Sequence, residues 1–163
     1  MITNIYFDWG NTLGYHGHKN IFINGNTYCE RISALFPDAL FILDYLYKKG
    51  YKLGIISNTK KTKKQLVSGL KKNNMSHYFN ASIICTNGDT ICKKGCSDVF
   101  NKVLQTDKVK PENCIMIGNN YKQDIIGALN VGMHAIFIKR PDSLKGGKEC
   151  IKINNLRDLS YFL

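Results

Sequence analysis

An apolar run that ends on a single carboxylate opens this chain: Ile5-Tyr6-Phe7-Asp8-Trp9-Gly10-Asn11-Thr12-Leu13. A carboxylate at the end of a buried strand stands where open α/β sheets bind their ligands. Exposed there, Asp8 has the chemistry of a covalent nucleophile toward phosphoryl or alkyl groups. Three further strand ends carry polar groups. Ser57-Asn58 offers a hydroxyl and, at a helix start, backbone N–H groups for an oxyanion. Lys93-Lys94 follows the next apolar run, and Gly118-Asn119-Asn120-Tyr121-Lys122-Gln123-Asp124 the one after. A carboxylate, a hydroxyl, a lysine and a second acidic site, in that order, suit phosphoryl transfer. The lysine offsets phosphate charge while a cation spans carboxylates and substrate.

Four strand ends meet at one place only if the strands run parallel, and the pattern of the chain is that of a parallel sheet flanked by helices. Short apolar runs at 2–8, 52–57, 81–85, 114–118 and 134–139 read as strands buried on both faces. Between them, Pro37 and Gly50 bracket a helix with Leu40, Leu43 and Tyr47 on its apolar face. Further helices are expected over 59–72, with Leu66, Val67 and Leu70 inward, over 98–104, and over 121–131 up to Gly132. A tail with Leu156, Leu159 and Phe162 packs back. Residues 14–36 are irregular and suggest a hairpin around Ile21-Phe22-Ile23, a flap too short to be a cap domain. The expected organisation is one domain over 1–163 with 14–36 as that insertion.

With these motifs the chain resembles the haloacid dehalogenase-like (HAD) hydrolase superfamily over essentially its whole length. The first motif is Phe7-Asp8-Trp9-Gly10-Asn11-Thr12-Leu13 and the second Leu53-Gly54-Ile55-Ile56-Ser57-Asn58-Thr59. The lysine motif is Lys94-Gly95-Cys96-Ser97-Asp98-Val99-Phe100, with Gly95 where a proline is usual. The fourth is Ile117-Gly118-Asn119 through Asp124 and on to Met133. The resemblance implies a Rossmann-like core with a minimal cap and an aspartyl intermediate at Asp8. It implies Mg2+ held by Asp8, the Gly10 carbonyl, and Asn119 or Asp124. Thr12, Ser57 and Asn58 would contact phosphoryl oxygens, and Lys94, rather than Lys93, would orient Asp8 and balance its charge. The substrate would be phosphorylated, small or macromolecular. Capless members often act on large substrates or close their site by oligomerising.

Two positions depart from that pattern. Gly10 stands where many phosphatases carry a second aspartate, which protonates the leaving oxygen and then activates water, a role worth roughly 10²–10⁴-fold. Asn119 stands at a usual aspartate, which removes one charge from the metal site but keeps a carbonyl oxygen. The expected activity is a Mg2+-dependent phosphatase of specialised or reduced activity. Its leaving group is then acidic enough to need no proton, as in acyl or aryl phosphates, or His16 or His18 on the flap supplies one. Alternatives are a catalytically silent binding or regulatory module and, further off, a dehalogenase. Dehalogenases also lack the second aspartate, but they use a cap and an arginine near the site, and Arg31 is the only arginine before the second motif.

The formal charge is +11, yet of the 23 basic residues only Arg31, Arg140 and Arg157 are arginines. Phosphate and base readout favour arginine, so nucleic acid is not expected as partner. The lysine run at 60–64 reads as a solvated helix face that also raises the local concentration of anions. Cys85, Cys92 and Cys96 lack paired C-x-x-C spacing, so zinc is not expected there; His16, His18 and Cys29 are an equally unspecific trio. No apolar run is long enough to span a membrane, and the first strand begins almost at Met1. A reducing, cytoplasmic setting is the expectation.

Overall fold

The structure, a computed structural model, describes residues 1–59, 61–86, 92–140 and 150–163; the side chains of 16–23 and 28–33 also fall outside the description. The strands in chain order are β1 (Asn4–Phe7), β2 (Gly14–Ile23), β3 (Asn26–Leu35), β4 (Lys52–Ser57), β5 (Ile83–Cys85), β6 (Cys114–Gly118), β7 (His134–Ile138) and β8 (Ile151–Ile153). Six of them form one sheet in the order β5-β4-β1-β6-β7-β8, each neighbouring pair parallel. The chain builds outward from β1 through β4 to β5, then crosses to β6 and continues to β7 and β8. The order therefore reverses beside β1, and the crevice outside the carboxyl ends at such a switch is where open sheets bind ligands.

Burial explains why these runs became strands. All four residues of β1 and all five of β6 are buried, as expected of strands covered on both faces. One face packs Ile5, Phe7, Leu53 and Ile55 against the helix α1 (Pro37–Lys48), the helix α2 (Lys63–Lys72) and the C-terminal 3₁₀ turn Leu156–Tyr161. The other packs Tyr6, Ile56, Ile84 and Met116 against the helix α3 (Ser97–Asp107) and Ala128 of the short helix α4 (Gly127–Leu129). This is the α/β architecture that the sequence pattern implies.

Details depart from expectation. The inward face of α1 is Ala39, Ile42, Leu43 and Leu46, whereas Leu40 and Tyr47 are 45% and 40% exposed. α2 starts only at Lys63, because Thr62 closes a capping box with Gln65. Residues 121–126 form a π-helical turn ahead of α4 instead of one regular helix. β8 was not anticipated; it adds only Ile151, Lys152 and Ile153 to the sheet edge.

The flap is a long hairpin. β2 and β3 pair antiparallel from Gly14↔Leu35 to Ile23↔Asn26 and form a separate sheet. Asn24 and Gly25 make the two-residue turn with φ of 51° and 78°, the left-handed geometry that matches strand twist. At its base the Phe36 amide donates to the Leu13 carbonyl, which ties the hairpin to the loop after β1. Among the described residues no helix is long and apolar enough to cross a membrane.

Candidate active site

Asp8 follows β1 directly, its amide bonded to the Ile117 carbonyl of β6 at 2.9 Å, and only 7% of it is exposed. The loop after it is tight. The amides of Thr12, Leu13 and Gly14 all point at the Trp9 carbonyl, and Asn11 takes a left-handed φ of 57°, which asparagine tolerates. That turn brings Thr12 back, so that its hydroxyl lies 3.3 Å from Asp8 Oδ2.

Lys94 comes from the loop just ahead of α3. Its ammonium lies 2.5 Å from Asp8 Oδ1, 2.7 Å from Asp124 Oδ1 and 2.8 Å from the Ile56 carbonyl. Lys93 is exposed. Burial pushes the Asp8 carboxyl up to about 6; the Lys94 charge opposes this and Asp124 adds to it. Burial alone pulls Lys94 down, but the carboxylates of Asp124 and Asp8 more than compensate and hold its ammonium above the usual lysine range. Lys94 therefore stays charged against two carboxylates.

Asp124 is fully buried, with Oδ1 on Lys94 and Oδ2 accepting the Asn120 amide at 2.8 Å. Gly118 makes room for it, since a Cβ there would overlap the Asp124 carboxylate. Asp124, expected among the metal ligands, is thus turned toward Lys94 and its own loop. Asn119 is the residue that faces Asp8. One terminal atom of its amide lies 2.9 Å from the Gly10 carbonyl and 3.2 Å from Asp8 Oδ2. With nitrogen in that place the amide donates to both. With oxygen there, a carboxylate, a backbone carbonyl and an amide carbonyl converge on one point, a hard-oxygen set that fits Mg2+.

Ser57 ends β4, 3% exposed, on the same edge of the sheet. The Asn58 side chain, expected on a phosphoryl group, is committed elsewhere: Oδ1 accepts from the Lys94 amide (2.7 Å) and the Thr86 hydroxyl (2.9 Å), and Nδ2 donates to Gln123 (2.8 Å). Its side chain fixes the lysine loop. A Cβ added to Gly10 meets nothing within 4 Å. His16, His18 and Cys29 lie outside the described side chains.

Two features escaped the sequence reading. Arg140, just past β7, grips Asp38 of α1 with both terminal nitrogens at 2.8 and 3.0 Å and donates to the Thr12 carbonyl at 3.0 Å. Its guanidinium stacks 3.8 Å from the Phe36 ring centroid. The scarcity of arginine was the available signal. The other is a disulfide between Cys92 and Cys96.

Residues 19–138 match the sequence model of the haloacid dehalogenase-like hydrolases. The chain belongs to this family. Asp8 lies before the matched span, so its place in the site rests on the geometry above. A glyceraldehyde 3-phosphate phosphatase of Methanothermobacter thermautotrophicus is 31% identical over 138 residues, 78% of this chain and 58% of that protein. Pyrophosphatase PpaX of Bacillus thuringiensis is 34% identical over 87 residues, 53% of this chain and 38% of that protein. The chain therefore spans about half the length of these curated relatives. A HAD-superfamily hydrolase structure from Ehrlichia chaffeensis superposes with a TM-score of 0.73 at 20% identity, covering 99% of this chain and 97% of that one, which shows the shared fold.

Proposed function

We propose that this HAD-like hydrolase is a Mg2+-dependent phosphatase that works through an aspartyl-phosphate at Asp8 and is restricted to substrates with good leaving groups. The observation that carries the reading is the convergence of Lys94 and Thr12 on the Asp8 carboxylate at the sheet's switch point. The phosphatase and pyrophosphatase names of the relatives support it.

The Asp8 carboxylate is the attacking group, held at Oδ1 by Lys94 and at Oδ2 by the Thr12 hydroxyl. The phosphorus–oxygen bond to the leaving group breaks as the Asp8–phosphorus bond forms, and water later releases phosphate. Lys94 orients the carboxylate and balances charge, while the Thr12 and Ser57 hydroxyls and the backbone around Asn58 face the phosphoryl oxygens. Mg2+, when held by Asp8, the Gly10 carbonyl and Asn119, would offset the negative charge of phosphate and carboxylate. Gly10 offers no acid of its own, and on this reading the departing oxygen leaves without a proton. Acyl, aryl and anhydride phosphates do so readily. The β2–β3 hairpin is the flap bordering the loop after Asp8, and with so small an insertion the mouth stays open to large as well as small substrates.

Hydrolysis of p-nitrophenyl phosphate and of an acyl phosphate, with and without Mg2+, tests this in the wild type and in Asp8→Asn. Turnover should need both Asp8 and the metal. A second reading, a catalytically silent binding module, is favoured by Gly10 itself. It predicts no turnover of either substrate and no rise in melting temperature with millimolar Mg2+ and fluoroberyllate.

A further inference from the structure

The loop that carries Lys94 is closed on itself by a covalent bond. Cys92 and Cys96 are joined, their Cα atoms 6.4 Å apart, with only Lys93, Lys94 and Gly95 between them. Both cysteines are half-buried, whereas Cys85 and Cys114 are sealed in the core. We propose that Cys92 and Cys96 are a redox-active pair whose thiol–disulfide exchange with an external dithiol sets the order of the Lys94 loop and thereby the activity of the site.

The exchange is balanced as follows. A thiolate of the dithiol attacks Cys92 Sγ, and the Cys92–Cys96 bond breaks with its electron pair passing to Cys96 Sγ. The second thiol of the reductant then displaces Cys92. The protein gains two electrons and two protons as two thiols, and the dithiol departs as its own disulfide. Cys96 is the better leaving sulfur because it occupies the N-cap position of the eleven-residue helix α3, where the helix dipole favours a thiolate even though the side chain makes no capping hydrogen bond. The Asp98 carboxylate lies within 4.8 Å of both sulfurs and so does not choose between them.

The loop depends on being closed. Gly95 holds a φ of +108°, a conformation for which an open chain has many alternatives. A Cβ on Gly95 would also lie 3.3 Å from Gln123 Cα, so the loop is pressed against the π-helical turn. The Lys94 amide reaches Asn58 and its ammonium reaches Asp8 only while this short span keeps its shape. A cross-link closing it removes those alternatives from the chain. Reduction restores them next to the residue on which the charge balance of the site rests. The redox pair stands on the disulfide alone; its effect on turnover rests on the proposed phosphatase reading.

The full-length protein is equilibrated with glutathione disulfide or with dithiothreitol, alkylated and digested with trypsin, which cuts after Lys93 and Lys94. The Cys92 and Cys96 peptides should stay linked in the first sample and separate, both alkylated, in the second. Hydrogen exchange of the Lys94 amide should quicken about tenfold on reduction, and a Cys92→Ser/Cys96→Ser variant should exchange at the fast rate in both buffers. Turnover of p-nitrophenyl phosphate should fall reversibly by about tenfold on reduction in the wild type and not respond in the variant. Unlinked peptides under oxidising conditions, equal exchange in the two states, or one zinc per chain on unlinked thiols would overturn the proposal. Equal turnover in both states of an active enzyme overturns the coupling to the site. Inactivity in both states instead sinks the phosphatase reading, while the peptides and the exchange still decide the redox pair.

Discussion

Two glycines flank this site and are constrained in opposite ways. Gly118 must be glycine because a side chain there would collide with Asp124, whereas the space above Gly10 is open. The Cβ of an aspartate at position 10 therefore meets nothing, and on the proposed reading its carboxyl would serve the leaving oxygen. Gly10→Asp should raise kcat/KM for an alkyl phosphate such as glycerol phosphate by roughly 10²–10⁴-fold, and that for p-nitrophenyl phosphate far less. The ratio of the two constants is the measurement, and an unchanged ratio would remove the leaving-group argument. Arg140 works by position. Its pair with Asp38 is almost wholly buried, and it fastens the Thr12 carbonyl. Arg140→Met strands the Asp38 carboxylate in the interior and should cost roughly 3–5 kcal/mol of stability in urea melts. Arg140→Lys, which keeps the charge but loses the fork, should cost less.

At the scale of elements, β1, α3 and the approach to β5 are tied by a single carboxylate. Asp107 accepts from the Tyr6 hydroxyl at 2.6 Å and from the Ser82 amide and hydroxyl at 3.0 and 2.6 Å. Burial, followed by the Asp107 hydrogen bond, raises the Tyr6 phenol well above its ordinary 10.0. The folded chain then keeps a proton that the unfolded chain releases. This contribution is whole below pH 10 and is lost as pH climbs beyond it. Burial also pushes the Cys114 thiol up to about 12, so it acts in the same direction. Unfolding free energy should fall between about pH 9 and about pH 11, and less steeply in Tyr6→Phe. Equal slopes would show that Tyr6 titrates normally. Most of these elements were legible because strands buried on both faces must be apolar throughout, and because parallel strands bring their carboxyl ends to one edge. The face of α1 was misread because Leu40 and Tyr47 are apolar yet exposed, which surfaces commonly allow. The hairpin was expected around Ile21-Phe22-Ile23, and its turn falls just after, at Asn24-Gly25. What sequence pattern alone did not reveal was tertiary: Arg140 meets Asp38 across 102 residues, and the disulfide and the commitment of Asn58 depend on how one loop folds.

For the whole molecule, the excess of 23 basic over 12 acidic residues has a consequence for rate. Lys61, Lys63 and Lys64 are exposed and follow Ser57 at the end of β4, the last two opening α2. Inside, one lysine faces two carboxylates, so attraction of an anionic substrate falls to the exposed lysines and not to the floor. Fields of this kind act on encounter, and they fade once the screening length falls to about 10 Å near 0.1 M salt. Raising ionic strength should therefore lower kcat/KM for a phosphorylated substrate while leaving kcat nearly constant, because such a field acts on encounter and not on the bound complex. Replacing Lys61, Lys63 and Lys64 together by serine should flatten that dependence without lowering kcat, since none of the three reaches Asp8. A slope that persists unchanged in the triple variant would assign the steering to the other lysines. A wild type with no slope at all would show that the positive charge has no part in capturing substrate.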